Sequence, residues 1–443
     1  MKSISTLVES FARGHASSHE VTENTLDAID ASTLNSFITV DWEGALAQAA
    51  ECDRVAKQGA TLGLLHGLPV AIKDLIDVVG LPTTMGSQQF LGNIAKRDSK
   101  VVANLRAAGA VIVGKTNAHE FAYGSSGDRS YFGPVRNPRD GDRMSGGSSS
   151  GSAAAVGAGI CLAAIGTDTS ASVRLPAALC GVVGMKPTFD LISRDGAFPL
   201  SGTLDHVGPI TANVSDNALM LDVLAGSGSK YRRLIGKSIA GLKVGVPNAF
   251  YCEYLAPEVR RCLIDASEAF RQAGATVVVA DVPRIYDIYR AQQLIIRTEA
   301  YALHEQAIKE GRPFSEEVLT RLKSGADVTA AQYLSALRER DVARAAFDAV
   351  LEDVDVLLTA TCGVTAPLLE ERTTKILGEA HPTFWVLTRL TAPTNLSGHP
   401  SLSVPFGVVD HLPIGMQLIG RYDEEATLYQ LASHLEQAHS HSI

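Results

Sequence analysis

SGGSSSGSAAAVGAGICLAAIGTDTSASVRLPAALCGVVGMKPT, residues 145–188, carries two serine-rich turns set between apolar segments. The first turn holds Ser148, Ser149 and Ser150 behind a Gly-Gly pair. A small-residue helix is expected over 152–158 and an apolar strand over 160–165. The second turn, 166–172, ends in Ser170-Ala171-Ser172 and runs into Arg174-Leu175-Pro176. Serine in glycine-rich loops is ordinarily turn chemistry. Here the flanking apolar segments pull both turns inward, and a buried hydroxyl needs a partner. Two such turns side by side can partner each other.

Upstream of this stretch, apolar spacing predicts helices over 3–13 and 21–31, with Ser3 or Ser5 and then Ser18 as caps. A strand follows at 37–40, an Ala-rich helix at 42–57, and an apolar strand at 68–72 that delivers Lys73-Asp74 at its end. Helix 99–108 leads into strand 110–113. Downstream, a helix over 215–225 takes Ser215 as its cap, and strands are expected at 242–246, 276–279, 354–358, 401–404 and 413–419. Helices are expected over 257–273, through most of 285–350 with breaks near 311–313 and 325, and over 424–437. The tail 439–443, HSHSI, reads as irregular, its histidines incidental. Alternating helix and strand through the first 190 residues argues for an α/β fold with a largely parallel sheet.

A chain of 443 residues with 46% hydrophobic and 20% charged residues has material for a sizeable core. Its net charge of -9 is spread without long runs, and there is no basic stripe for nucleic acid or an anionic membrane. Six cysteines without a CxxC spacing suit free thiols in a reducing compartment. The N-terminus lacks the pattern of a signal peptide, and no run of eighteen apolar residues exists. A cytoplasmic protein is expected.

Two motif matches fail on context. Residues 109–116, GAVIVGKT, fit the phosphate-loop pattern, but Ala-Val-Ile-Val is itself a strand whose amides are committed to ladder bonds. Residues 147–151, GSSSG, fit the nucleophile elbow, yet the preceding NPRDGDRMSG is loop where that device needs a strand. Histidines show no metal-like spacing, so no metal and no cofactor are expected.

What remains is Lys73 after a strand, the serine turn at 148–150, and Ser172 on the second turn. With GLPVAIKDLIDVVGLPTTMGS, GAVIVGKTNAHEFAYG, FGPVRNP, SGGSSSGSAAAVGAG and GTDTSASVRLPAALCGVVGMKPT, the chain resembles the amidase signature family of serine hydrolases over about residues 60–225. DVLLTATCGVTAP, APTNLSGHPSLSVP and PIGMQLIG extend the resemblance toward the C-terminus. It implies Lys73 as catalytic base, Ser148 as the bridging serine entered by a cis peptide, and Ser172 as nucleophile. It also implies one α/β/α domain over 1–443 with a mixed, mostly parallel central sheet covered by helices. The parts would be N-terminal helices (1–60), a catalytic core (61–225), a variable cleft region (226–400), and closing strands and helix (401–443).

These residue types suit the chemistry. A serine hydroxyl needs a base, and lysine serves only when neutral, which desolvation at the end of an apolar strand promotes. Amides of Thr169, Ser170, Ala171 and Ser172 would face the oxyanion. Ser149 and Asp168 are expected to brace the loops. Arg174 either pins the nucleophile turn or meets a substrate carboxylate, and Ser125 and Ser149 are binding candidates. Ser170-Ala171 stands where the family has Gly-Gly, either as steric selection or as tolerated drift.

The expected activity is hydrolysis of a carboxamide, or a related ester, urea or hydrazide, through a Ser172 acyl-enzyme. The alternatives are the glutaminase subunit of a tRNA-dependent amidotransferase and a narrow urea-type amidohydrolase. Segment 285–350 resembles that of stand-alone amidases. The expected partners are accordingly a small-molecule amide, no nucleic acid, no membrane, and at most a second copy of the chain.

Overall fold

The computed structural model describes residues 3–440. Its strands, in chain order, are β1 (Phe37–Val40), β2 (Pro69–Lys73), β3 (Val111–Thr116), β4 (Ala163–Asp168), β5 (Val183–Lys186), β6 (His206–Thr211) and β7 (Lys243–Val246). They continue with β8 (Thr276–Val279), β9 (Val356–Ala360), the pair β10 (Thr373–Ile376) and β11 (Glu379–Pro382), then β12 (Ser401–Val409) and β13 (Leu412–Ile419). All but β10 and β11 form one sheet in the order β1-β3-β2-β4-β6-β5-β12-β13-β9-β7-β8.

The fold is α/β with a mixed sheet, and its faces follow from the pleat. Successive side chains of a strand point to opposite faces. Val70 and Ile72 of β2, with Ala163 and Ile165 of β4, pack into one apolar cluster. Ala71 and Ala164 between them pack into another, together with Leu26, Ala45, Ala49 and Ala153 of the covering helices. Strands buried on both faces read as continuous apolar runs, which is why β2 and β3 are legible from sequence.

The expected predominance of parallel pairing is corrected. β3–β2, β2–β4, β9–β7 and β7–β8 are parallel. β1–β3, β4–β6, β6–β5, β5–β12, β12–β13 and β13–β9 are antiparallel. The cause is β6, HVGPIT, which inserts between β4 and β5. A proline inside it argues against a strand from sequence alone. Its Gly208 is needed for the insertion, since a Cβ there would meet Met185 O at 1.9 Å.

Smaller shifts concern element ends. β4 begins three residues later than expected and carries Gly166-Thr167-Asp168 as its buried polar end. The following cap is Asn213, whose side chain accepts from the Asp216 amide, rather than Ser215. Ser3 and Ser17 cap the first two helices. The helical segment resolves into Ile285–Lys309, Glu316–Lys323 and Ala330–Asp353. The last helix, Glu425–Ser440, takes in the start of the expected tail, and 441–443 lie outside the described residues. All six cysteines are free. Among the described residues no helix is long and apolar enough to cross a membrane.

Candidate active site

β2 and β4 are parallel neighbours, so Lys73 and Asp168 emerge at the same sheet edge, where α/β folds place their chemistry. Lys73 is fully buried. Its Nζ lies 2.7 Å from Ser148 Oγ and 2.8 Å from Thr167 Oγ1. Burial lowers its pKa to about 7, with the charges of Asp168 and Asp205 acting in the opposite direction. An amine in that state is half neutral near pH 7 and can take a proton from a hydroxyl.

The two serine turns do meet. The Ser149 amide donates to Ser172 O at 3.2 Å, and the Ser149 hydroxyl exchanges hydrogen bonds with the Thr167 amide and carbonyl. The peptide bond Gly147–Ser148 is cis. The helix Ser150–Gly157 then seats its small residues deep in the fold. Gly151 permits this, since a Cβ there would meet Ser36 O at 2.2 Å and the Asn117 backbone at 2.6 Å. Ser152 Oγ donates to Ile165 O, tying the helix to β4.

Ser172 is buried to within 7% exposure, and its hydroxyl takes no hydrogen bond among the described residues. The amides of Ser170, Ala171 and Ser172 likewise donate to no acceptor among them. Three consecutive buried N–H groups without acceptors are uncommon and suit an incoming oxygen. Neither Ser170 nor Ala171 has a positive φ, so their Cβ atoms impose no left-handed strain. Ala171 packs with Met144, Leu175 and Leu387, and the buried Ser170 hydroxyl has no hydrogen-bond partner among the described residues.

Arg174 is fully buried. Its guanidinium donates to both Asp168 oxygens at 3.0 and 2.9 Å, to Ser170 O, Thr391 O and Thr394 Oγ1, and to Gln417 Oε1 and Asn395 Oδ1. These bonds engage the whole donor fork and leave none for a substrate carboxylate. Burial alone would raise the Asp168 carboxyl, but Arg174 and the donors of Asn395 and Val173 hold it well below the usual carboxylate range.

Two cavities flank the turns, and Lys73, Ser148 and Ser172 line neither. The larger, about 630 Å³, is bordered by Ser125, Met144, Arg321, Phe384 and Leu387. The smaller, about 120 Å³, is bordered by Leu75, Phe198, Thr167, Thr169 and Asp205. Contact with the residues beside the serines matters more than either volume. Met144 and Leu387 touch Ala171's cluster, and Thr167 touches Lys73. Sequence reasoning missed Thr167, Asp205, Gln292 and Asn395. They lie far apart in the chain, and only the sheet order brings them together.

Comparison with known proteins gives a consistent picture. The family model described as Amidase matches residues 20–429. A glutamyl-tRNA(Gln) amidotransferase subunit of Methanosarcina barkeri (strain Fusaro / DSM 804) is 39% identical over 93% of this chain and 92% of its own. A chain from a vestigial protein complex that reveals the origins of an s-triazine catabolic enzyme superposes with a TM-score of 0.94 at 33% identity, covering 99% of this chain and 98% of that one. The corresponding glutamyl-tRNA(Gln) amidotransferase subunit of Thermotoga maritima superposes with a TM-score of 0.79 at 33% identity, covering 95% and 91%.

These relatives overturn the expectation of a small-molecule amide as sole partner, with no nucleic acid and no assembly beyond a second copy. The Methanosarcina protein is named as one subunit of an enzyme that is itself named for a tRNA. A charge census reports only the surface a chain offers directly to a polyanion, and it is silent about neighbouring subunits.

Proposed function

The chain belongs to the amidase (amidase signature) family of enzymes acting on amide C–N bonds, and from that premise we propose that it cleaves a carboxamide through an acyl-enzyme on Ser172. The observation that carries this reading is the fully buried Lys73 amine, with its pKa near 7, lying 2.7 Å from Ser148 Oγ. Ser172 Oγ attacks the carbonyl carbon, its proton passing to Ser148 while Ser148's own proton passes to Lys73. The carbonyl electron pair moves onto oxygen, facing the amides of Thr169, Ser170, Ala171 and Ser172. Collapse breaks the C–N bond, and the proton returns through Ser148 to the departing nitrogen. Water then releases the acid by the same relay.

We further take the role to be that of the amide-cleaving subunit of an amidotransferase, working on a glutamine side-chain amide beside partner subunits in the cytoplasm. The named relatives support this. Residues 226–400 serve as the cleft wall in this reading, supported by Arg321, Phe384 and Leu387 at the larger cavity, with Ser125 opposite. A second reading, cleavage of a urea-type amide, takes its support from the higher TM-score with the chain of the vestigial complex tied to the origins of an s-triazine catabolic enzyme, 0.94 against 0.79.

A fluorophosphonate should label Ser172 in the wild type and not in Ser172→Ala, and the variant should release no ammonia from glutamine. Undiminished ammonia release by Ser172→Ala would refute the acyl-enzyme. Faster turnover of a urea-type amide than of glutamine, with partner subunits present, would select the second reading.

A further inference from the structure

Thr169 is where the turn carrying the three free amides is tied to the rest of the fold. Its hydroxyl donates to Asp205 Oδ1 at 2.6 Å, and its carbonyl accepts from Gln292 Nε2 at 3.2 Å. Asp205 Oδ2 in turn accepts the amides of Leu200 and Ser201 at 2.9 and 3.1 Å. The Ser201 hydroxyl donates to Glu299 Oε2 at 2.6 Å, and the Thr203 and Tyr333 hydroxyls donate to Glu299 Oε1 at 2.7 and 2.8 Å. Gln292 and Glu299 are two turns apart on the helix Ile285–Lys309, so one helix face reaches the loop twice. One contact is direct and the other passes through Asp205.

Asp205 also stands close to the base. It lines the 120 Å³ cavity with Thr167, whose hydroxyl is the second contact of Lys73. A buried aspartate that only capped a turn would need the Leu200 and Ser201 amides and nothing more. The bond to Thr169 and the closeness to Lys73 go beyond that role.

We infer that Asp205 is a positioning residue of the reaction, anchoring Thr169 and thereby the amides of residues 170–172 while its negative charge acts on Lys73. This rests on the reading of those amides as the oxyanion site. Displacing such donors by an ångström lowers turnover by up to about 100-fold without weakening ground-state binding in proportion. The charge has a separate consequence. The charged and titratable groups around Asp205 are Lys73 from β2, Asp168 from β4, Arg194 from the loop before it, His206 beside it in the chain, and Glu299 through Ser201. Burial pushes the Asp205 carboxyl up to about 6, and its charge helps keep the Lys73 pKa from falling further.

Two variants separate the two effects. Thr169→Val removes the tie and keeps the carboxyl group, whose pKa rises further without the Thr169 donor. It should lower kcat by about 10- to 100-fold and leave KM within about threefold. Asp205→Asn removes the charge and keeps a tie, since its amide oxygen can take the two backbone donors and its NH₂ can face the Thr169 hydroxyl. It should move the acid limb to lower pH, because Lys73 loses a neighbour that favours its protonated form. An unshifted limb in Asp205→Asn, or kcat within threefold of wild type in Thr169→Val, would overturn the inference. If Asp205→Asn lacks a native circular dichroism spectrum, the Thr169→Val result decides alone. Failure of wild-type Ser172 to react with the fluorophosphonate would instead overturn the active-site reading, leaving the two failures distinguishable.

Discussion

Arg174→Met tests how the nucleophile turn is held. The variant keeps the volume of the side chain's stem and removes every bond of the guanidinium, to Asp168, Ser170, Thr391, Thr394, Gln417 and Asn395. It leaves the Asp168 carboxylate, itself fully buried, with donors from Asn395 Nδ2 and the backbone of residues 173 and 174 but no cation. Breaking a buried pair from one side costs about 3–5 kcal/mol, a large share of a typical total of about 5–15 kcal/mol. Urea unfolding at pH 7.5, followed by circular dichroism with an unchanged slope, should report that loss. The pH dependence should change as well. Asp168 is held below the usual carboxylate range in the fold, so it contributes stability above its unfolded pKa of about 4, lost as pH falls toward its folded value. The variant should lack that acid-side loss. The uncompensated carboxylate should also raise the proton affinity of Lys73 and move the acid limb of kcat/KM to higher pH, opposite to Asp205→Asn. A destabilisation below about 1 kcal/mol would refute the view that this pair holds the turn.

With Lys73 titrating at about 7, wild-type kcat/KM should rise with pH through that value and fall by about 50-fold from pH 7 to pH 5; a flat profile over that range would remove lysine as the base. Lys73→Met should abolish turnover yet raise the unfolding free energy at pH 7, since the unfolded chain's ammonium no longer has to shed its proton on folding, a cost of about 4 kcal/mol that the lost bonds to Ser148 and Thr167 reduce. Ala171→Gly, alone or with Ser170→Gly, should cost about 1–2 kcal/mol of stability while admitting bulkier acyl groups past Met144 and Leu387. An unchanged substrate range across a graded amide panel would return Ser170-Ala171 to tolerated drift.

The elements legible in the sequence are those with a single physical signature. Strands β2 and β3 open on apolar runs, PVAI and VIV, the long helices after residue 285 show helical periodicity between Gly breaks, and the serine turns announce themselves by composition. β5 and β6 are different. VGMK and HVGPIT contain glycine, proline and charge, and they are strands only because β4 and β12 lie beside them. Without these two strands, the alternation of helix and strand points to parallel pairing. The site divides the same way. Lys73, Ser148 and Ser172 stand at the ends of recognisable segments. Thr167 reads as turn but lies inside β4, and Asp205, Gln292 and Asn395 owe their places to tertiary contacts that no local pattern encodes.

Lysine is a workable base here only if nearby carboxylates are kept from recharging it, and the fold deals with each one separately. Asp74, the next residue in the chain, is paired with Lys115 Nζ at 3.1 Å and bonded by the Thr84 amide. That lysine belongs to the 109–116 stretch that imitates a phosphate loop; in the fold it is part of β3 and also donates to Pro82 O and Thr83 Oγ1. Asp168 is given to Arg174. Asp205 has no cation within salt-bridge distance among the described residues. Burial instead pushes its carboxyl up to about 6, so it carries full charge only when the pH is high enough for Lys73 to be losing its own proton. Two carboxylates are therefore paired with cations, while the third is still charged as Lys73 titrates and acts on it through that charge. Loss of Arg174 would offset part of the desolvation of Lys73, since the charge of an unpaired, buried Asp168 favours the ammonium. The state of the Lys73 amine thus depends on charges placed by β2, β3, β4, the helix that begins at Arg174 and the loop before β6, and not on the apolar strand end alone.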